Sequence, residues 1–260
     1  MVSEVLLARA EPVRIPVEPI RPPQSLEATG LSDAVVFDLV LKHLRRHGDC
    51  STAELAMLIA LPVPVLDRLL GFLRTERLVE IPGRGNFDAD VRFSLTDLGR
   101  ARAEDAFQRD RYIGAAPVSL ADYVAQVGRQ RISGARIAPD RLAQVLQPLV
   151  LPPELIATLG AAVNSQRPMF LYGPSGAGKT WLAEHLVDVI EGAIWVPHAI
   201  EVDGEIIQVF DPIVHRPIGA SHAGGSFDRS RQPDGRWVLC ERPVVKLGGE
   251  MTLSMMDLEL

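Results

Sequence analysis

Residues 173 to 180 read Gly173-Pro174-Ser175-Gly176-Ala177-Gly178-Lys179-Thr180, the spacing G-x-x-x-x-G-K-[ST]. The chemistry open to this set is the binding of a polyphosphate. Glycines at 173, 176 and 178 let the backbone turn tightly, so that successive N–H groups from Ser175 to Thr180 face inward and cradle a β-phosphate at a helix start, where the helix dipole also favours an anion. Lys179 then reaches the β- and γ-phosphates, and the Thr180 hydroxyl is placed to ligate Mg²⁺. The expected site is therefore Gly173 to Thr180 with Trp181 beside it, Lys179 in the catalytic role and Thr180 on the metal.

Such a loop needs a strand before it and a helix after it. Met169-Phe170-Leu171-Tyr172 is a short apolar run that predicts a buried strand, and Lys179 to Ile190 carries Leu182, Leu186, Val189 and Ile190 at helical spacing. His185 falls on the apolar face of that helix and reads as a hydrogen-bonded core histidine.

Composition narrows the remaining classes. The 260 residues are 47% apolar and 23% charged, enough for one large or two smaller domains, and the net charge of −6 gives no overall pull toward nucleic acid or an anionic membrane. Cys50 and Cys240 are far apart and do not form a disulfide framework. The longest apolar stretch, Leu55 to Leu66, is broken by Pro62 and Pro64, and the N-terminus lacks the order of a signal peptide, so a cytoplasmic protein without a membrane span is expected.

Along the chain, residues 1 to 30 hold Pro12, Pro16, Pro19, Pro22 and Pro23 and predict a flexible tail. From Leu31 a helical series begins. Val36, Leu39, Val40 and Leu44 mark one helix; the box Ser51-Thr52-Ala53-Glu54 opens a second; Leu66, Leu69, Leu70 and Leu73 repeat on a third behind Pro62 and Pro64. Leu78 to Ile81 and Val91 to Leu95 predict strands around Gly83-Arg84-Gly85-Asn86, and Thr96 caps a closing helix through Phe107. This order over residues 31 to 110, with the run Phe93 to Gly99, resembles a winged helix-turn-helix domain. Its third helix offers only Arg68 and Arg74 beside Asp67, and acidic residues slightly outnumber basic ones between Leu31 and Tyr112, so a protein-docking or spacer role is expected over DNA binding. Residues 111 to 138 predict a linker with one short helix around Leu120 to Val127 and a basic group of Arg129, Arg131 and Arg136. Two helices, Pro139 to Val150 and Pro153 to Val163, lead to the loop.

With its flanks Leu149-Val150-Leu151-Pro152-Pro153-Glu154 and Phe170-Leu171-Tyr172, the phosphate-binding octapeptide resembles AAA+ ATPases, whose loop commonly runs Gly-Pro-Pro-Gly-x-Gly-Lys-Thr; Ser175 stands in place of the second proline. The resemblance implies an α/β P-loop NTPase core over residues 139 to 260, apparently incomplete at its C-terminus, with Mg²⁺ and ATP as ligands and Leu149 and Val150 against the adenine. It also implies a protein client and a homo-oligomeric ring. The alternative is a nucleotide-dependent regulator or binding module that uses the winged helix to contact DNA or protein, without significant hydrolysis.

Beyond the loop, Ala199 to Val202 and Glu205 to Phe210 flank Asp203-Gly204, a strong hairpin signal, and Trp237 to Glu241 and Val244 to Leu247 predict a second strand pair after the Gly219 to Gly235 loop. Hydrolysis needs a carboxylate pair at a buried strand end. Ile206 to Asp211 supplies one carboxylate on half of a hairpin, so a complete acidic motif is not identifiable. Met255 to Leu260 is an apolar stretch without a cap, expected to continue in a longer polypeptide. His43, His47 and Cys50 have metal-like spacing but no fourth ligand, and His198, His215 and His222 have no catalytic partner in sequence.

Overall fold

A computed structural model describes residues 18–82, 91–131, 137–149, 151–165, 167–189, 192–218 and 233–243. The expected tail, the Gly83 to Asn86 turn with Arg84, Val150, Arg136, most of the Gly219 to Gly235 loop with His222, the Val244 to Leu247 strand and the Met255 to Leu260 stretch lie outside these residues, wholly or in large part. Among the described residues the protein is mixed α and β, with eight α-helices and small two- and three-stranded sheets. Two compact bodies divide the described residues: 18–130 with 194–240, and 131–193.

The first body begins with α1 (Asp33–His47), β1 (Cys50–Ser51), α2 (Thr52–Ile59) and α3 (Val63–Thr75). The apolar positions read from sequence are the ones buried: Val36, Leu39, Val40 and Leu44 of α1 join Leu66, Leu69, Leu70 and Leu73 of α3 in one core. Each such side chain contributes about 1.5–3 kcal/mol when fully buried. The capping box at α2 is complete, since Ser51 Oγ accepts from Glu54 N at 3.2 Å and Glu54 Oε2 accepts from Ser51 N at 2.8 Å. Next come β2 (Val79–Glu80), β3 (Arg92–Leu95) and α4 (Asp97–Arg109). Strand β3 is central to a three-stranded antiparallel sheet, with Cys50 opposite Phe93 and Val79 opposite Leu95. Thr96 caps α4 through Gly99 N at 3.0 Å, as its sequence position predicts.

The same body continues with β4 (Val118–Ser119) and α5 (Leu120–Arg129), then β6 (Ala199–Val202) and β7 (Glu205–Gln208), after β5 (Ala193–Pro197). The Asp-Gly hairpin forms: β6 and β7 pair antiparallel with Ile200 opposite Ile207, and Asp203 and Gly204 take φ of 52° and 87°, the sign a type I′ turn needs. On its other edge β6 pairs parallel with β4, Val118 opposite Ile200. Strand β8 (Trp237–Glu241) pairs with β5, and Val118, Trp195, Ile200 and Trp237 form a second core. Asp234 and Arg236 sit at its margin, 1% and 4% exposed. The Asp234 carboxylate takes the Arg236 guanidinium at 2.8 and 3.1 Å, and Arg236 also donates to the Pro117 carbonyl at 3.4 Å.

The second body holds α6 (Pro139–Val145), α7 (Pro153–Asn164) and α8 (Lys179–Asp188). Ile137, Leu142, Leu146, Leu159, Leu186 and Val189 make its core. The Asn164 side-chain amide bonds both backbone groups of Ile137, at 2.8 and 3.1 Å, tying the end of α7 to the chain ahead of α6.

Residues 18–30, expected within the tail, pack on the first body, where Ile20 O accepts from Asp234 N at 2.7 Å and Thr29 is buried, and a second segment differs as well. Met169 to Tyr172 form no strand, and Phe170 and Tyr172 are each 85% exposed instead of buried. An apolar run of four residues specifies a strand only where another strand pairs with it, and periodicity over so short a span carries no information about that partner.

Candidate phosphate-binding site

The loop and helix expected to hold phosphate are contiguous in the second body. Gly176 and Gly178 have φ of 80° and 75°, left-handed values that a side chain would strain. These two reversals turn the chain between Pro174 and Lys179, with Ala177 N bonding to Pro174 O at 3.4 Å. Helix α8 starts directly afterwards: Leu182 N donates to Gly178 O at 2.8 Å. The amides of the first turn of a helix have no partner within the helix, so those of Lys179, Thr180 and Trp181 are left for an acceptor at the loop.

Lys179 Nζ lies over the loop and donates to the carbonyl oxygens of Gly173 and Pro174, at 3.0 and 2.7 Å. Residues 172 to 178 and Thr180 are exposed, and Lys179 is half-buried. The loop is thus open to a ligand, and among the described residues the ammonium's partners are two neutral carbonyls over the backbone turn.

Trp181 and His185 follow on α8. Their rings stack with centroids 3.3 Å apart and planes at 14°, while His185 Nδ1 lies 2.9 Å from the Trp181 carbonyl. A carbonyl only accepts, so Nδ1 carries the proton. His185 is half-buried and hydrogen-bonded, in keeping with its sequence reading.

The other predicted residues fall elsewhere. Leu149 is packed against the core of α6, α7 and α8. Asp211 belongs to the first body, just past β7, where its Oδ1 accepts from Ile213 N at 2.8 Å and its own N–H donates to His215 Nδ1 at 3.0 Å. Phe210 lies between His198 and His215, its ring centroid 5.6 and 5.8 Å from theirs. His43 stacks on His47 and its Nε2 is 2.9 Å from Gly114 O, while burial of Cys50 pushes its thiol above the ordinary value. Among the described residues no group of three His, Cys, Asp or Glu side chains is placed to hold a metal ion. A Mg²⁺ ion bound with phosphate needs no such group, because it keeps several waters and takes one or two protein oxygens besides phosphate.

The exposed pair Phe170 and Tyr172 is the local feature that sequence reasoning missed. Its rings are near-parallel, at 18° with centroids 6.2 Å apart, immediately ahead of Gly173. The two aromatics at positions two apart were visible in the sequence, but assigning them to a buried strand hid the pair.

Compared with protein-family models, with curated proteins and with solved structures, the chain gave no match.

Proposed function

We propose that the protein binds Mg-ATP at Gly173 to Thr180, as an AAA+-like P-loop ATPase module joined to a winged-helix-like domain. One observation carries the reading: the G-x-x-x-x-G-K-T residues form an exposed turn, with left-handed glycines at 176 and 178, that runs straight into α8 with Lys179 over its opening. A phosphate chain there takes the first-turn amides of α8, and Lys179 exchanges two neutral carbonyls for phosphate oxygens, which makes stronger, charge-assisted bonds. Mg²⁺ would neutralise charge on the β- and γ-phosphates and would be held in part by the Thr180 hydroxyl.

In this reading the second body binds nucleotide, and a complete assembly, working in the cytoplasm, couples ATP to remodelling of a protein client, as a ring. The rival is a regulator that uses ATP occupancy as a switch. The position of Asp211 in a tight turn after a hairpin supports slow or absent turnover in this chain, and so gives the rival weight.

The element order from α1 to α4 supports the winged-helix-like reading of residues 31 to 110. Protein docking, and not DNA, is its proposed use, because α3 carries only Arg68 and Arg74 beside Asp67, and Arg92 of β3 is already paired. Arg92 pairs with Glu54 at 3.1 Å and with the Asp49 carbonyl, and the carboxyl of Glu27, held down first by the Ser25 hydroxyl, also feels Arg68. Phe72 of α3 is half-exposed and stacked on Phe37 at 4.9 Å, an apolar element of the kind protein interfaces use.

Amide hydrogen exchange tests the nucleotide site. Adding Mg-ATP is expected to slow exchange from Ser175 to Trp181, with little change in α6 and α7. Protection elsewhere but not at the loop would contradict the assignment.

A further inference from the structure

The loop accounts for a phosphate chain but leaves the rest of a nucleotide unplaced. Two residues ahead of it stand in the open. Phe170 and Tyr172 are each 85% exposed, and their rings face one another at 18° with centroids 6.2 Å apart. Rings in tight mutual contact would hide much of each other's surface; at this exposure the facing sides are open. Stacked bases lie about 3.4 Å apart, so a base held between two rings needs them about 6.8 Å apart. The centroid distance of 6.2 Å is an upper bound on the spacing of the ring planes, so the rings must part by at least about 0.6 Å to admit a base. Tyr172 is also bonded directly to Gly173, so the pair lies at the edge of the phosphate-binding turn.

We propose that Phe170 and Tyr172 clamp the nucleobase of the nucleotide whose phosphates occupy Gly173 to Thr180. The proposal rests on the phosphate-binding reading and adds a substrate preference to it. A clamp made of two aromatic faces gains energy from stacked area and reads no base edge, so it favours purines over pyrimidines and discriminates weakly between adenine and guanine. Exposed aromatic surface that has no role in the core thereby acquires one, and the chain needs no contact from Leu149, whose side chain is packed in the core.

The test compares the full chain with Phe170→Leu/Tyr172→Leu, which keeps apolar bulk and removes both π faces. Each form is titrated calorimetrically with ATP, CTP and inorganic triphosphate in the presence of Mg²⁺. Loss of base stacking is expected to weaken ATP binding by about ten- to a hundredfold, to weaken CTP less, and to leave triphosphate affinity unchanged. In the wild-type protein, a decrease in adenine absorbance on binding is the independent signature of stacking, and it should vanish in the double variant. Unchanged ATP affinity in the variant, with triphosphate still binding, would overturn the clamp and leave the phosphate site standing. Equal losses for ATP and triphosphate would also overturn it, since the two rings would then add nothing specific to the base. Failure of wild-type protein to bind either ligand would remove the phosphate site and the clamp with it.

Discussion

Replacing Gly99 by alanine should destabilise the protein, although the same change in most helices stabilises it. Gly99 is in the first turn of α4, where alanine is about 0.8–1.0 kcal/mol better than glycine by helix propensity. A Cβ at that position, however, would lie 1.9 Å from the Leu78 carbonyl oxygen and 2.9 Å from its carbon. Relief requires α4 and the chain at Leu78 to separate by roughly an ångström. The carbonyl is not free to yield, because it accepts from Thr96 N at 3.2 Å while Leu78 N is bonded to Leu73 O at 2.9 Å. Overpacking of this kind costs typically 1–3 kcal/mol, and against backbone it belongs at the upper end, so a net loss of about 1–2 kcal/mol remains after the propensity gain. Gly71 is the control. It lies in α3 with no atom within 4 Å of the added Cβ, so Gly71→Ala should gain about 0.5–1 kcal/mol. Urea unfolding followed by the fluorescence of Trp195 and Trp237, both in the same body, measures the two midpoints. A Gly99→Ala midpoint at or above wild type would refute the reasoning, and a Gly71→Ala midpoint that fell equally would show that propensity and not the clash had been misjudged.

Further outcomes follow from other sites. Arg236→Ala strands the buried Asp234 carboxylate and should cost about 3–5 kcal/mol, whereas Arg100→Ala, which breaks an exposed pair with Asp97, should cost under about 1 kcal/mol; similar urea midpoints for the two would contradict the difference. His43 is buried, its Nδ1 has no hydrogen-bond partner among the described residues, and burial, opposed by the Gly114 bond, holds its pKa below the ordinary 6.5. The unfolded chain therefore binds a proton first as pH falls, and stability should drop below about pH 6.5 until the folded pKa is passed, a drop that shrinks in His43→Gln; an identical pH profile for the two forms would count against it. Thr180→Ala should make ATP binding less dependent on Mg²⁺, and an unchanged response to EDTA would remove that residue's role. Steady turnover should lie well below about 1 s⁻¹ and be unaffected by Asp211→Asn; turnover near that rate, abolished by the substitution, would place Asp211 in the site.

The helices of the first body were legible because each combined a 3.6-residue apolar repeat with a local stop or start: Ser51 and Glu54 for α2, Pro62 for α3, Thr96 for α4. The hairpin of β6 and β7 was legible for a similar reason, since Asp203-Gly204 fixes both turn and register locally. Strands β1 and β4 were not, because two residues span too little chain for alternation to register. Strand β5, with Ile194, Trp195 and Val196, was not assigned from sequence, and its pairing with residues some forty positions later is set by the tertiary fold. The Asp234 and Arg236 pair was beyond sequence reasoning, because its burial depends on Pro117 and Ile20 from distant parts of the chain. At the candidate site the loop, its glycines and α8 were read directly, while Met169 to Tyr172 failed because strand character depends on a neighbour and not on composition alone.

The central claim is that Lys179 and the turn beneath it hold the phosphates of ATP, and a calorimetric titration of the full chain with Mg-ATP addresses it most directly. The account predicts saturable binding at one site per chain, with affinity lowered at least about tenfold in Lys179→Ala, the ratio expected when one charge-assisted contact of about 1.5–3 kcal/mol is removed. Equal affinities for the two proteins, or no binding to the wild type, would contradict it.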